Sequence, residues 1–214
     1  MPDPKIYTYQ GDNVEITYDL KRCIHAAECV RGLPAVFNPN RKPWIEPDAA
    51  PADTVARVIE RCPTGALHYT RTDEGSPESV PEDNTASVVA NGPLYLHGDI
   101  EVKNAEGETI LHDTRVALCR CGLSSNKPFC DNSHKDGFSA DASLGQIKVD
   151  EAEADGPVTI TCAANGPLLV RGPLTLHGSN YSAACSKTAL CRCGLSSNKP
   201  LCDGSHRAAG FQAE

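Results

Sequence analysis

Large aromatic side chains are few in this chain. They make up 5% of 214 residues, with one tryptophan and four phenylalanines, while 17 glycines and 16 prolines punctuate the sequence. That balance favours short strands and turns over long packed helices. No run approaches the roughly 18 apolar residues of a membrane span, and Met1-Pro-Asp-Pro-Lys5 lacks the apolar core of a secretory signal. A cytoplasmic protein without a membrane role is therefore expected, in a reducing compartment where thiols stay free or bind metal. No G-x-G-x-x-G follows a strand, and there is no phosphate-binding loop, Ser-His-Asp signature or paired-carboxylate signature. Organic-cofactor chemistry and hydrolysis have no visible machinery, so the expectation is not an enzyme.

Charge is also uneven. The formal net charge is −8, with −2 over residues 1–75, −9 over 76–155 and +3 over 156–214. No basic field exists that would hold a nucleic-acid backbone, so no nucleic-acid partner is expected. The opposed charges of the later segments could orient a protein partner.

What the chain does have is cysteine, eleven of them, an odd number that argues against a complete disulfide framework. Six lie in a segment that occurs twice. ALCRCGLSSNKPFCD, Ala117 to Asp131, recurs as ALCRCGLSSNKPLCD, Ala189 to Asp203, with the single change Phe129 to Leu201. The copies run on as Asn132-Ser133-His134 and Gly204-Ser205-His206. Three thiols and an imidazole thus recur at one spacing, which no secondary structure requires and a metal does. Cys162 and Cys185 fall outside the repeated pattern and read as small apolar side chains.

Thr72 to Ala86 is acidic, rich in Pro, Ser and Gly, and reads as a linker. It divides an N-terminal domain, 1–71, from two repeats, 87–156 and 157–214. Asn91-Gly-Pro-Leu94 and Asn165-Gly-Pro-Leu168 open the repeats, and segments of strand period follow: Leu94–His97, Ile100–Val102, Thr109–His112, then Leu168–Val170 and Leu174–Leu176. One repeat has too few large apolar residues to bury much surface alone, so the two are expected to pack as one pseudo-twofold unit. The N-terminal domain reads as a strand at Val14–Tyr18, a helix over Pro51–Arg61 stopped by Cys62-Pro63, and a closing strand at Leu67–Thr70.

Within each repeat, Gly122 or Gly194 lets a C-x-C pair turn inward. Pro128 or Pro200 stiffens the return to the third cysteine. The histidine follows four residues later, one helical turn, on the same face as that cysteine. Asp131 and Asp203 can cap the turn, and Asn132 can take the left-handed conformation available to Gly204. Three Cys and one His suit a structural zinc or an iron–sulfur cluster.

The pattern C-x-C-x2-S-x3-P-x-C-D-G-S-H, met in full by Cys191 to His206 and with Asn132 for Gly by Cys119 to His134, resembles the CDGSH iron–sulfur (NEET-type) domain. The resemblance implies a 2Fe–2S cluster on Cys119, Cys121, Cys130 and His134, and another on Cys191, Cys193, Cys202 and His206. It also implies a β-sandwich carrying two cluster modules about a twofold. The tandem supplies both halves, so a monomer is expected. One imidazole in place of a thiolate lowers the cluster's negative charge, which raises its potential above that of an all-Cys cluster.

Cys23 and Cys29 stand six apart, with Cys62-Pro63 downstream, and ferredoxin loops place ligands at 0, +3 and +6. The +3 position is Ala26. Three thiolates can hold a 3Fe–4S cluster; alternatively His25 or water completes a 4Fe–4S cluster. With Phe37, Pro43-Trp44-Ile45 and Cys62-Pro-Thr-Gly-Ala66, the segment resembles a divergent mono-cluster ferredoxin domain. The fold class expected is α+β, a ferredoxin-like domain followed by a tandem CDGSH β-sandwich.

The leading expectation for function is one-electron transfer through two 2Fe–2S clusters and a third 3Fe–4S or 4Fe–4S cluster, toward a redox protein partner. The alternative is an iron–sulfur cluster carrier, serving an apo-acceptor protein, or a redox or pH sensor. A zinc-stabilised binding module is the third reading.

Overall fold

The computed structural model describes residues 5–146 and 156–213. Residues 147–155, which end the first repeat as bounded above, lie outside the described residues. The chain divides into two compact units, Met1–Ser79 and Val80–Glu214.

In the first unit β1 (Ile6–Gln10), β2 (Val14–Asp19) and β3 (Leu67–Arg71) form an antiparallel sheet in that order. Strand β2 alternates as its sequence dictates, burying Val14, Ile16 and Tyr18 on one face. Between β2 and β3 the chain makes a short helix α1 (Glu28–Gly32), a 3-10 turn at Pro47–Ala49, and helix α2 (Ala52–Ile59). Helix α2 buries Val55, Val58 and Ile59 against the sheet's core. Strand β1 was not foreseen, because its side chains are exposed on both faces and carry no buried alternation. Beyond β3, Thr72 donates from its backbone to Asn13, and Glu78 pairs with His68 at 2.9 Å. The first part of the expected linker is thus tied to this unit, and its last two residues, Thr85 and Ala86, open a strand of the second unit.

The second unit holds β4 (Thr85–Val88), β5 (Leu94–Lys103) and β6 (Thr109–Leu118) from the first repeat, then β7 (Val158–Cys162), β8 (Leu168–His177) and β9 (Ser182–Leu190) from the second. Within each repeat the pairing is antiparallel. Between repeats it is parallel, β4 with β8 and β5 with β7. Each long strand serves two partners. Leu94–His97 of β5 pair with β4 while Ile100–Lys103 pair with β7, and a bulge at Gly98 separates the two stretches. Strand β8 repeats the arrangement, its bulge at Gly172. At both glycines φ is positive, +147 and +100, and an added Cβ would lie 2.7 Å from the Asn84 Cα or 3.2 Å from the Val158 Cα.

This topology corrects the expected architecture in two respects. The chain is mostly β with few short helices, instead of α+β. The repeats form one sheet in which β4, β5, β7 and β8 close into a ring, with β6 and β9 alongside β5 and β8, in place of two stacked sheets. The reason is the pair of glycine bends: a strand that turns mid-length can leave its own repeat and pair with the other, closing the ring as in a small barrel. Strand β9 escaped notice in the sequence because its inward residues are small, Ala183 and Cys185. Both Cys162 and Cys185 sit in the core, 1% and 0% exposed, as their apolar reading implies.

One core joins the repeats, with Leu94, Leu96 and Ile100 of the first against Ile160, Leu168 and Leu174 of the second. Ile100→Ala should therefore cost about 2–5 kcal/mol. In chemical denaturation, both repeats should unfold in one transition at lower denaturant; two separate transitions within residues 80–214 would refute the shared core.

Candidate metal centres

Strand β6 delivers the first ligands and an isolated bridge returns the third. Leu118 pairs with Phe129, the Cys119 amide donates to Pro128 O at 2.8 Å, and the Cys130 amide donates to Ala117 O at 2.9 Å. In the second repeat Leu190 pairs with Leu201, with bonds of 2.7 and 2.8 Å at Cys191 and Cys202. The intervening loop is pinned by Ser124 Oγ, which donates to Phe129 O at 2.7 Å, and by Ser196 Oγ, which donates to Leu201 O at 2.6 Å. The same two hydroxyls accept the Asn126 and Asn198 amides at 3.0 Å. Each hydroxyl thus satisfies one carbonyl and one amide inside the loop.

The histidine turn follows. Asn132 and Gly204 both have positive φ, 77 and 90, so the Asn-for-Gly difference leaves the backbone unchanged. Asp131 Oδ1 accepts the Ser133 amide at 3.0 Å and its hydroxyl at 2.6 Å, while Oδ2 accepts the Ser125 amide at 2.7 Å. Asp203 makes the corresponding bonds to Ser205 and Ser197. Each aspartate thus ties the histidine turn to the C-x-C loop. Those bonds hold the Asp203 carboxyl well below its usual range.

The eight expected ligands come together as four pairs. Cys119 Sγ lies 3.6 Å from Cys121 Sγ, and Cys191 Sγ 3.7 Å from Cys193 Sγ. Cys130 Sγ lies 3.4 Å from His134 Nδ1, and Cys202 Sγ the same distance from His206 Nδ1. Among the described residues, no three His, Cys, Asp or Glu side chains gather to hold one metal ion. Cys119, Cys121, Cys191 and Cys193 are buried, whereas Cys202, His134 and His206 are half-exposed. The hydrogen bond with Cys121 draws the Cys119 thiol down to about 6, and burial pushes Cys130 up to about 11. Burial and the neighbouring Lys135 lower His134, which favours the neutral imidazole that a metal needs.

The two C-x-C loops lie back to back. A Cβ at Gly122 would lie 2.9 Å from the carbonyl carbon of Cys193, and one at Gly194 would lie 2.8 Å from that of Cys121. Both glycines have positive φ, +81 and +80.

Sequence reading missed the residue between the two cysteines. Arg120 and Arg192 are each 1% exposed. Arg120 donates from Nε to Gly92 O at 2.8 Å, and from Nη2 to Val89 O at 2.5 Å and Asp141 O at 3.0 Å. Arg192 repeats this with Gly166, Ala163 and Ala213. Phe138 and Phe211, just past the histidines, stack on the guanidiniums at 5.2 and 5.6 Å. The repeated Arg between cysteines and the repeated Gly-Phe after the histidine were the available signal.

In the first unit, antiparallel pairing sets Tyr18, at the end of β2, opposite Leu67, at the start of β3. Cys23 follows the one and Cys62 precedes the other, so topology alone brings them close. With Cys29 they line a cavity of about 650 Å³, walled by Tyr9, Tyr18 and Trp44. Burial and the neighbouring Cys62 push the Cys29 thiol up to about 11. His25 and Ala26 line the same cavity, and His25 and Ala27 have positive φ, 53 and 65. His25 is exposed.

The donor chemistry fits iron–sulfur clusters. The donors at each site are soft sulfurs with one imidazole, a set that suits a soft metal centre, and burial raises the thiols of Cys29 and Cys130 until such a centre takes their protons' place. A buried cation, Arg120, leaves its Nη1 without a hydrogen-bond partner. An anionic centre would suit it.

The family description "iron-binding zinc finger CDGSH type" matches residues 91–135 and 165–207. The description "divergent 4Fe-4S mono-cluster" matches residues 9–72. Two curated relatives, both "uncharacterized protein YjdI", from Escherichia coli K12 and Escherichia coli O157:H7, are 44% identical over 61 residues, which is 28% of this chain and 80% of theirs. No solved structure matches the chain.

The back-to-back loops give a direct test. Gly122→Ala should reduce iron content in both repeats, because its Cβ intrudes on the Cys193 carbonyl. Gly107→Ala, with the same sign of φ but open space around it, should cost only about 1 kcal/mol and leave iron content unchanged. Iron per chain measures both; equal loading in the two variants would dismiss the contact as a determinant.

Proposed function

We propose that this chain, which belongs to the CDGSH iron-binding family and begins with a divergent 4Fe-4S mono-cluster domain, carries two 2Fe–2S clusters and one further cluster and serves in one-electron transfer. The iron–sulfur character follows from the family. Cluster type, number and role are the proposal. The observation that carries it is the pairing of donors: Cys119 with Cys121 and Cys130 with His134, repeated at the second site. A binuclear cluster takes two ligands on each iron, whereas a structural zinc draws four ligands around one ion. Two pairs at each site favour the former.

A bound 2Fe–2S cluster exchanges one electron at a time. The chain's own contribution is to keep that exchange cheap. Ser124, Ser196, Asp131 and Asp203 fix the loops, so little has to reorganise when charge changes. Amides of Leu123 and Asn132 donate to Cys121 and Cys130 sulfurs at 3.4 Å, which stabilises added negative charge and raises the potential. Cys23, Cys29 and Cys62 supply three thiolates to a 3Fe–4S or 4Fe–4S cluster in the first unit. The reading has no enzymatic step; the partner is a redox protein, and the compartment a reducing cytoplasm. No helix of the described residues is long and apolar enough to cross a membrane.

A second reading, cluster delivery to an apo-acceptor, is favoured by one observation. The histidine of each site, His134 or His206, is half-exposed while the C-x-C cysteines are buried. Release of a cluster would start at the histidine, the donor of each site that solvent reaches.

Iron and sulfide analysis with low-temperature EPR tests the proposal. Two reduced 2Fe–2S signals are expected, with a signal from the first unit that is 3Fe–4S in the oxidised protein or 4Fe–4S in the reduced one. A colourless, zinc-loaded protein would overturn it. His206→Cys should leave one cluster at clearly lower potential, since a thiolate adds negative charge; an unmoved potential would remove His206 from the ligand set. Rapid handover to an apo-acceptor would favour delivery over electron transfer.

A further inference from the structure

Past the first repeat's histidine turn, residues 140–146 cross to the second repeat. The near end of this segment belongs to the first: Ala140 exchanges bonds of 2.7 and 2.9 Å with Asn91, and Asp141 O accepts from Arg120 Nη2 at 3.0 Å. The far end is bound to the turn between β8 and β9. Ala142 O accepts the Ser179 amide at 2.9 Å, and the Tyr181 hydroxyl donates to Gly145 O at 2.6 Å. Asn180 brackets Leu144, its Oδ1 accepting the amide at 2.8 Å and its Nδ2 donating to the carbonyl at 3.1 Å. Leu144, the one large apolar side chain of the segment, is 5% exposed and joins the shared core.

The last contacts fall on the second repeat's ligand loop, between Cys193 and Cys202. The Gly145 amide donates to Lys199 O at 3.0 Å, the Gln146 amide donates to Asn198 Oδ1 at 2.8 Å, and Asn198 Nδ2 donates back to Gln146 O at 3.2 Å. Pro200, the next residue of the loop, is the one whose carbonyl holds the Cys191 amide. Two glycines make the fit. A Cβ at Gly145 would lie 2.7 Å from Asn198 O, and one at Gly178 would lie 2.6 Å from Leu144 Cγ. Neither glycine lies in the left-handed region, so close approach, not backbone conformation, requires them.

Resting on the cluster assignment above, we propose that residues 140–146 are a retaining strap on the second repeat's site. While seated, the strap holds the 196–201 loop in its ligand-bearing shape. Release that starts at His206 is completed at Cys191 and Cys193, which are buried and are reached only when the loop opens. Opening then costs the strap's hydrogen bonds in addition to the loop's own. Because the strap springs from the first repeat, the tail of one repeat governs how long the other keeps its cluster. The second centre is thereby kept resident for electron exchange.

The test uses the full chain with its clusters. His134→Cys lowers the potential of the first repeat's cluster, so EPR at a potential where that cluster stays oxidised reads the second repeat's 2Fe–2S signal. Iron is then drawn off with excess EDTA. On this background Asn198→Ala deletes both side-chain bonds to Gln146 and touches no ligand. The second repeat's signal should decay about tenfold faster, as the loss of hydrogen bonds of ordinary strength implies, with the first repeat's decay unchanged. Gly145→Ala should act in the same direction by pushing the strap off Asn198. Ser143→Ala, whose hydroxyl bonds within the strap to Asp141 at 2.6 Å, should leave the rate as it was.

Unchanged decay in both Asn198→Ala and Gly145→Ala, or equal acceleration in both repeats, would overturn the proposal and leave the segment a connection alone. If those variants come without clusters, the unsubstituted chain decides. Amide exchange over 142–146, followed by mass spectrometry, should quicken about tenfold once EDTA has removed the second cluster, because coupling between strap and cluster is reciprocal. Unchanged exchange, or a quickening no greater than that of β8, would overturn the proposal. An unsubstituted chain that never holds iron–sulfur clusters would instead fail the assignment on which it rests.

Discussion

The contact between the two C-x-C loops governs the second unit. Two backbones meet at Gly122 and Gly194 with no room for a side chain, each lying against the carbonyl group of a cysteine in the other repeat. The candidate ligand loops of both sites are therefore fixed by one contact. Close approach requires the repeats to share a sheet and a core, and the sheet achieves it by bending β5 and β8 at Gly98 and Gly172, so that each strand pairs first with its own repeat and then with the other. The crossed parallel ladders are the means by which two ligand loops arrive back to back.

Folding so many polar groups into the repeated loops calls for hydrogen-bond partners within the chain. Each aspartate after the third cysteine answers two amides, each loop serine answers a carbonyl and an amide, and each arginine answers carbonyls from two separate segments. Asn91 and Asn165 close the system, each exchanging bonds with a residue beyond the histidine turn, Ala140 and Ala213. The repeated site is thus rigid down to the segments that carry no ligand. The half-exposed histidines leave one side of each repeated site facing solvent.

The first unit solves a similar problem by other means. Antiparallel pairing of β2 and β3 brings Cys23 and Cys62 to one end of the sheet, and helix α1 sets Cys29 beside them. Tyr18, edge-on against Trp44 at 4.9 Å, closes the wall of the cavity that Cys23 also lines. Left-handed backbone at His25 and Ala27 shapes the loop where a ferredoxin would have its +3 cysteine.

The sequence alone singled out the candidate ligands, because metal chemistry needs particular atoms at particular spacings and the spacing is written twice. It also determined the N-terminal helix and the strands with strong alternation, β2 and β3, whose buried faces are periodic. Strand β1, with nothing buried, and β9, with Ala183 and Cys185 facing inward, had no such periodicity to read. Only the tertiary structure decided that the repeats close one ring instead of stacking two sheets, since pairing between repeats depends on where Gly98 and Gly172 bend the chain. Only it showed Arg120 and Arg192 turned inward: a charged residue between two cysteines reads as solvated until carbonyls from distant segments are seen to surround it.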